Sequence, residues 1–384
     1  MTKVFIHYVE RYSLDLIRAA VTRMLDSKGP DWITPGMRVV VKPNMLMPSV
    51  PEKAIVTHPL VVRAVAEYLL DRGARVQVSD SPPIGNFRKL IRQSGFEAAL
   101  TGLDVDLKPF EASVPVDIGK PFGAIEIAKD IMDADAVVNL PKLKSHAMMY
   151  MSLGVKNMFG AIVGLRKPEW HMRAGVDRLM FAQLLVQIYQ AVSPAFTLVD
   201  GIMALEGQGP ARSGRPRKLG ILVGGASGHA VDKTVCTLLG LDPKALLTYR
   251  MAGELAYFDG AVHVNGNIHI VDDYLFPELD SLSLGPESLN RFMRKYVIQK
   301  PVADNHKCKL CGECWKICPA KVISHNTKGI QFDYDKCIRC YCCLEVCTHG
   351  ALEAREPLLG RLRRGLISGK KQTDEREVCH GRSE

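Results

Sequence analysis

The chain has 384 residues, 47% hydrophobic, 24% charged and 7% aromatic, with a formal net charge of +9. That length allows two or three domains with sizeable cores, and the scattered Lys and Arg with few aromatics lack the basic stripe and stacking platform of a nucleic-acid binder. Residues 1–11 carry charges where a signal peptide needs an apolar core, and the longest apolar run, 181–192, is interrupted by Gln183 and Gln187, so a cytoplasmic protein without a membrane span is expected.

From Lys3 to about Leu284, short apolar runs alternate with amphipathic stretches. Strands are expected at 4–8, 38–42, 75–79, 104–110, 136–140, 196–199 and 219–223, and helices at 13–26, 59–72, 86–100, 177–192 and 229–239. Ser13 and Thr57 are expected as N-caps and Gly73 as a helix stop. Val/Ile/Leu-rich strands between helices predict an α/β domain over residues 1–290 with a largely parallel sheet covered on both faces.

Such sheets bind ligands at the carboxyl ends of their strands, so the residues that follow each strand matter most. They are Lys42-Pro43-Asn44, then Ser79-Asp80-Ser81-Pro82, then Asn139 to His146, then Asp200-Gly201, then Gly224 to His229 with Asp232 beyond. Lys42, Lys142, Lys144 and Lys156 would crowd four ammonium groups around one crevice, which favours a small anionic substrate bearing a carboxylate or phosphate. The expected binding residues are Lys42, Asn44, Asp80, Lys156, Asn157 and Asp232. Lys142, Lys144, His146 and His171 are the candidates for chemistry. Taken singly, a polar residue after a strand more often caps a helix or faces solvent; the functional case rests on repetition over five exits. Gly224 to Gly228 resembles a phosphate cradle but lacks the Rossmann spacing and the Walker lysine, and no Gly-x-Ser-x-Gly or His-Glu-x-x-His occurs to support a serine or zinc hydrolase.

Residues 291–300, within a stretch 286–301 of helical character, form an expected connector to a module over 301–356. Nine of the eleven cysteines fall between Cys308 and Cys347, and in a reducing compartment such crowding means metal ligation. The runs Cys308-x-x-Cys311-x-x-Cys314-x-x-x-Cys318-Pro319 and Cys337-x-x-Cys340-x-x-Cys343-x-x-x-Cys347 repeat the bacterial ferredoxin spacing. In that arrangement three thiolates hold one cluster and the fourth reaches across to the other. Two 4Fe-4S clusters are therefore expected, one on Cys308, Cys311, Cys314 and Cys347, the other on Cys337, Cys340, Cys343 and Cys318. Zinc also takes thiolates, but two identical four-cysteine runs favour the clusters. Thr348 replaces the proline that follows the first run, with only a small effect on potential expected. Cys342 is off register and reads as a spare thiol, Cys236 as core, and Cys379 as idle in a basic tail, 357–384, expected to be disordered. Over 300–356 the chain resembles bacterial-type two-cluster ferredoxins.

Lys42-Pro43-Asn44, Asp80-Ser81-Pro82, Leu140-Pro141-Lys142-Leu143-Lys144-Ser145-His146, Lys156-Asn157-Met158-Phe159-Gly160 and Gly164-Leu165-Arg166-Lys167 with His171 together resemble domain-of-unknown-function family 362 over residues 1–290. The resemblance implies an iron–sulfur protein of bacteria or archaea and assigns no reaction. Three functions follow in order of preference. The first is an oxidoreductase whose clusters relay single electrons to or from the anionic substrate in the lysine crevice. The second is an electron-transfer subunit or cofactor-maturation protein that docks a redox partner protein. The third is a non-redox enzyme with structural clusters.

Overall fold

The structure, a computed structural model, describes residues 1–82, 86–164, 166–277 and 296–359. Residues 291–295 of the expected connector and 360–384 of the tail, with Cys379, lie outside these residues.

The strands in chain order are β1 (Thr2–Tyr8), β2 (Arg38–Pro43), β3 (Arg75–Val78), β4 (Val105–Leu107), β5 (Ser113–Asp117), β6 (Ala124–Ala128), β7 (Ala136–Leu140), β8 (Lys142–His146), β9 (Tyr150–Ser152), β10 (Phe196–Gly207), β11 (Gly214–Gly225) and β12 (Val262–Asn265). Ten of them form a mostly parallel sheet in the order β12-β1-β11-β10-β7-β2-β3-β4, with β8 beside β10 and β9 beside β8. β11 runs antiparallel between β1 and β10, which gives that side of the sheet a mixed character. β5 and β6 form a separate hairpin.

The alternation of strand side chains sorts the core into two faces. Val39 and Val41 of β2 join one apolar cluster with Ile17, Val21, Met24 and Leu25, whose helical spacing fills one side of the Leu14–Asp26 helix. Val40 points the other way, into a cluster built on Phe181, Leu184, Leu185 and Ile188 of the Arg178–Val192 helix. That second cluster continues into the cysteine module through Ile330, Tyr341, Leu344, Leu352 and Ala354. The module is thus seated on the sheet domain by continuous apolar packing.

Several expected elements change at their ends for local reasons. The helix expected over 86–100 breaks into Phe87–Gln93 and Phe96–Leu100 because Gly95 takes a left-handed φ of 77°. Thr57 does not cap the Pro59–Leu70 helix. His58 does so instead, its Nδ1 accepting from the Leu60 N–H at 3.2 Å, while the Thr57 hydroxyl donates to Leu140 O at 2.6 Å. Ser13 makes no side-chain cap. The run expected at 196–199 opens one twelve-residue strand, and that at 219–223 lies within another.

In the cysteine module, β13 (Lys300–Ala303) pairs with β16 (Leu352–Arg355), and β14 (Ile323–Asn326) with β15 (Gly329–Phe332), both antiparallel. Helices Glu313–Ile317 and Cys342–Glu345 lie within the two cysteine runs, each just before the run's last cysteine.

Leu184 is fully buried in the cluster that spans both parts. Leu184→Ala should cost about 2–5 kcal/mol by leaving a cavity, seen as a lower urea midpoint with an unchanged m-value.

Candidate functional site at the seam between sheet and cysteine module

After β7 the chain passes Pro141 and continues as β8 alongside the long β10, with Asp200 opposite Lys142 and Leu205 opposite Lys144. The stretch Lys142 to His146, which follows the strand expected at 136–140, is itself a strand, because β10 extends past the end of β7 and offers it an edge. All five residues of β8 are buried. The period of two places Lys142, Lys144 and His146 on one face.

The three positions meet different partners. Lys142 Nζ donates to Asp200 Oδ2 and to the Tyr12 hydroxyl, both at 2.8 Å, and Tyr12 donates to Asp200 Oδ1 at 2.8 Å. Tyr12 also stacks on His58 at 3.5 Å between ring centroids. Lys144 Nζ meets only neutral acceptors, Asn44 Oδ1 at 2.8 Å and Ile55 O at 2.9 Å. Burial holds its ammonium down to about 7. His146 Nδ1 accepts from the N–H groups of Met148 and Met149 at 3.1 and 3.3 Å, so the ring proton sits on Nε2 and is donated to Glu345 Oε1 at 3.0 Å. Burial keeps this histidine neutral, with its pKa lowered to about 4. The Glu345 carboxylate is held down to about 2 against its own burial by His146 and the charge of Lys156.

A second group of residues comes from the strand exits. Lys42 Nζ pairs with Asp80 Oδ1 at 2.8 Å, and the other Asp80 oxygen accepts from Met45 N at 2.8 Å. Asn44, Asn157 and Asn139 form a chain of side-chain amides at 3.0 and 2.8 Å. Gly160 lies so close to the Lys42–Asp80 pair that a Cβ there would collide with both side chains. Lys167 donates to Ser81 O, and its pKa is lowered by burial to about 8. Lys156 is partly exposed, and among the described residues no carboxylate lies within ion-pair distance of it. His171 stacks on Phe181 at 4.2 Å, is lowered by burial to about 3, and has a buried Nδ1 without a hydrogen-bond partner among the described residues.

These side chains line a pocket bounded by Lys42, Lys144, Lys156, Lys167, His146 and His171, with Phe159, Ile317 and Val346 supplying apolar wall. Eight of the ten expected crevice residues border it. Lys142 and Asp232 do not. Lys142 is turned to Asp200, and Asp232 accepts from Gly154 N at 2.7 Å and Val155 N at 3.1 Å, fixing the start of the Gly154–Asn157 helix that carries Lys156. The expectation of four mutually repelling ammonium groups is corrected accordingly, since Lys42 and Lys142 each have a carboxylate of their own. The Gly224 to Gly228 stretch is filled by protein. A Cβ on Gly224 would meet Met24 and Phe196 at 2.8 and 2.9 Å, and one on Gly228 would meet Tyr189 at 2.8 Å.

Sequence reasoning missed Lys167, Glu345 and Cys342 as wall residues. Lys167 stands one helical turn before His171 in the Arg166–Ala174 helix, a spacing that places them on one face. Nothing local marks Glu345.

Two smaller cavities lie in the cysteine module. One is bordered by Cys308, Cys311, Cys314 and Cys347; the other by Cys318, Cys337, Cys340 and Cys343. Each combines three cysteines of one run with the last cysteine of the other. Among the described residues no three His, Cys, Asp or Glu side chains converge on a single-ion position. The thiols instead stand around voids, which fits a group wide enough to touch four sulfurs. Cys311 is exposed, whereas Cys337, Cys340 and Cys343 are buried, so the first set is the outer one and the second the inner one.

A helix-covered α/β sheet fused to a ferredoxin-like cysteine module defines an iron–sulfur protein. Residues 39–237 match the model of the family described as Domain of unknown function (DUF362), and residues 300–348 match the 4Fe-4S dicluster domain. The chain belongs to the DUF362 family. It is 34% identical over 277 residues to a thylakoid-associated protein of Synechocystis sp., covering 70% of this chain and 86% of that one. The cysteine module is 35% identical over 54 residues to pyruvate synthase subunit PorD of Methanocaldococcus jannaschii, 14% of this chain and 63% of that one. It is 30% identical over 82 residues to a probable iron-sulfur subunit of the Frd operon of Proteus vulgaris, 21% of this chain and 52% of that one. No helix among the described residues is long and apolar enough to cross a membrane.

Lys42→Met strands the buried Asp80 carboxylate and should destabilise the fold by about 3–5 kcal/mol, whereas Lys156→Met, which breaks no ion pair among the described residues, should destabilise it less; chemical denaturation of both variants checks the contrast. In acid, the unfolded chain protonates its histidines near 6.5, while folded His146 and His171 resist until about 4 and 3. The contribution of these histidines should therefore be full above pH 6.5 and fall by roughly 1–2 kcal/mol per histidine on going to pH 5. His171→Phe should flatten that dependence in urea titrations at the two pH values.

Proposed function

We propose that the protein is an iron–sulfur oxidoreductase acting on a small organic anion bound between the lysines of the sheet and the cysteine module. The observation that carries this reading is the shared wall. The Cys342–Glu345 helix sets Glu345 on the large cavity and Cys343 on the inner cysteine cavity. Cys308, Cys311, Cys314 and Cys347 would hold one 4Fe-4S cluster, and Cys337, Cys340, Cys343 and Cys318 the other. When bound, these clusters supply or accept single electrons.

The residues of the chain do the rest. Among the described residues Lys156 has no carboxylate within ion-pair distance, only the longer-range charge of Glu345, and Lys167 donates only to a carbonyl, so they are the cations open to a substrate carboxylate or phosphate. Lys42, locked on Asp80, shapes the pocket floor and adds field. Lys144 is the proton carrier. With its pKa near 7, Nζ is present in both forms at neutral pH and can give or take a proton beside the bound anion. Its two neutral hydrogen-bond partners orient it without locking the charge on. His146 donates its Nε2 proton to Glu345 and so gives that carboxylate a partner where it borders the pocket. Apolar residues such as Phe159 and Ile317 accommodate the body of an organic substrate and exclude water.

A second reading, an electron-transfer subunit serving a partner protein, draws on the exposed Cys311 at the outer set and on the likeness of the module to proteins named as subunits.

The reading is tested with anoxically reconstituted protein, which should bind close to eight irons per chain. After reduction with dithionite it is mixed with a panel of small carboxylates and phosphates, and cluster reoxidation is followed by absorbance. Reoxidation by a panel member, slowed about tenfold or more at subsaturating concentration by Lys156→Met, is the expected outcome; a factor of ten corresponds to about 1.4 kcal/mol of lost binding. Lys144→Met should abolish the inflection near pH 7 in the rate profile. Reoxidation by added redox proteins alone would transfer the assignment to the second reading, and a zinc-loaded, colourless protein would end both.

A further inference from the structure

Lys144, Lys156 and Lys167 border the large pocket with no carboxylate at ion-pair distance among the described residues. Of the two carboxylates on that border, Asp80 is taken by Lys42, and Glu345 accepts from His146. Lys144 is almost wholly enclosed, at 1% exposed, and its hydrogen bonds are those of an amine. A lysine ammonium has three N–H groups and the neutral amine two; among the described residues Nζ has two acceptors, Asn44 Oδ1 and Ile55 O. Asn44 cannot turn its amide around. Its Nδ2 donates to Asn157 Oδ1, Asn157 Nδ2 to Asn139 Oδ1, and Asn139 Nδ2 to Gly154 O. A backbone carbonyl only accepts, so Gly154 O fixes the direction of the whole chain and Lys144 always meets an oxygen. The charges that face Lys144 are the carboxylates of Glu345 and Asp80 and the ammonium groups of Lys156 and Lys142. Lys42 offsets Asp80, and Asp200 offsets Lys142. His146 and His171 on the same border are neutral at pH 7. What remains is one carboxylate against three lysines.

We propose that an anion enters this pocket together with one proton, which Lys144 takes up as the anion gives it a third hydrogen-bond acceptor. That an anion occupies the pocket rests on the function proposed above; the coupling to a proton follows from the count of acceptors and charges. With the pocket empty, a third N–H on Nζ has no acceptor among the described residues, and a third positive charge adds to those of Lys156 and Lys167. Both effects favour the neutral amine. The pKa of Lys144 runs the same way, lowered by burial to about 7, below the value of about 8 at Lys167. A bound carboxylate or phosphate reverses both effects, accepting the third N–H and offsetting the excess charge. Linkage is reciprocal, so a proton that strengthens anion binding is itself held more tightly once the anion is in place. Lys167 takes the smaller share of the uptake, because near neutral pH it is already mostly charged.

The test is isothermal titration calorimetry of the reconstituted full chain with sulfate and with oxalate, dianions whose own charge is constant from pH 6 to pH 7.5. Each titration is run in two buffers of different ionisation enthalpy, which counts the protons exchanged. Uptake should be about one proton per anion at pH 7.5 and close to none at pH 6, where Lys144 is already charged; affinity should be about fivefold weaker at the higher pH. Lys144→Met is never charged and Lys144→Arg always is. Both should lose most of the uptake, and only the arginine variant should keep its affinity at pH 7.5. Iron content reports whether each variant has folded. Failure of both anions to bind, binding to the unaltered chain without uptake at pH 7.5, or undiminished uptake in Lys144→Met overturns the proposal. The first two outcomes need no variant. The oxidoreductase reading fails separately. Proton-coupled binding without reoxidation by the panel of carboxylates and phosphates keeps the coupling and removes the redox role, whereas reoxidation by the panel without proton uptake does the reverse.

Discussion

A lysine ammonium withdrawn from water must find a carboxylate, settle on neutral acceptors or give up its proton, and this protein withdraws three on β2 and β8. Lys42, Lys142 and Lys144 are each at most 1% exposed. Burial lowers the pKa of all three, and the desolvation cost of such groups runs to several kcal/mol each unless partners offset it. Two are answered by carboxylates, Asp80 and Asp200, which tie the ends of β2 and β8 to the loop after β3 and to the middle of β10. The third is answered by an amide and a backbone carbonyl. This division decides which lysines are structural and which remain available to a ligand.

The same constraint explains why the pocket sits where it does. A sheet domain alone would leave the open side of the lysine cluster to solvent, where ammonium groups are hydrated and titrate normally. The cysteine module closes that side, placing Glu345 against His146 across 199 residues of sequence. Closure strengthens every interaction inside the cavity by lowering its effective dielectric, and it sets the inner cysteines within one side chain of the pocket. Continuous apolar packing through Leu184, Tyr341 and Leu344 keeps the two parts seated.

Much of the fold was legible because it depends on short-range pattern. The β2 and β7 valines, the i, i+3, i+4 spacing of Ile17, Ala20 and Val21, and the stop at Gly73 each speak for themselves. Misreadings arose where a distant element intervened. Lys142 to His146 looks like a polar loop, and only the overhang of β10 makes it a buried strand. Asp200 looks like a strand exit because the apolar run pauses there, yet β10 continues past it for seven residues to Gly207. Chain order groups Asp232 with the crevice, whereas the Gly228–Leu238 helix turns it to the start of the Gly154–Asn157 helix.

By itself the sequence determined the chemistry of the cysteine module, since cluster ligation is written into spacings of two and three residues and a local loop suffices to present three thiols. It also determined the class of sheet and the set of polar residues near its ends. Only the tertiary structure decided which lysine met which carboxylate, that Lys156 was left without one among the described residues, and that Cys342 parts the two cavities. Charge pairing depends on the separation of atoms in space, and residues such as Lys42 and Asp80 or His146 and Glu345 carry no mark of one another along the chain.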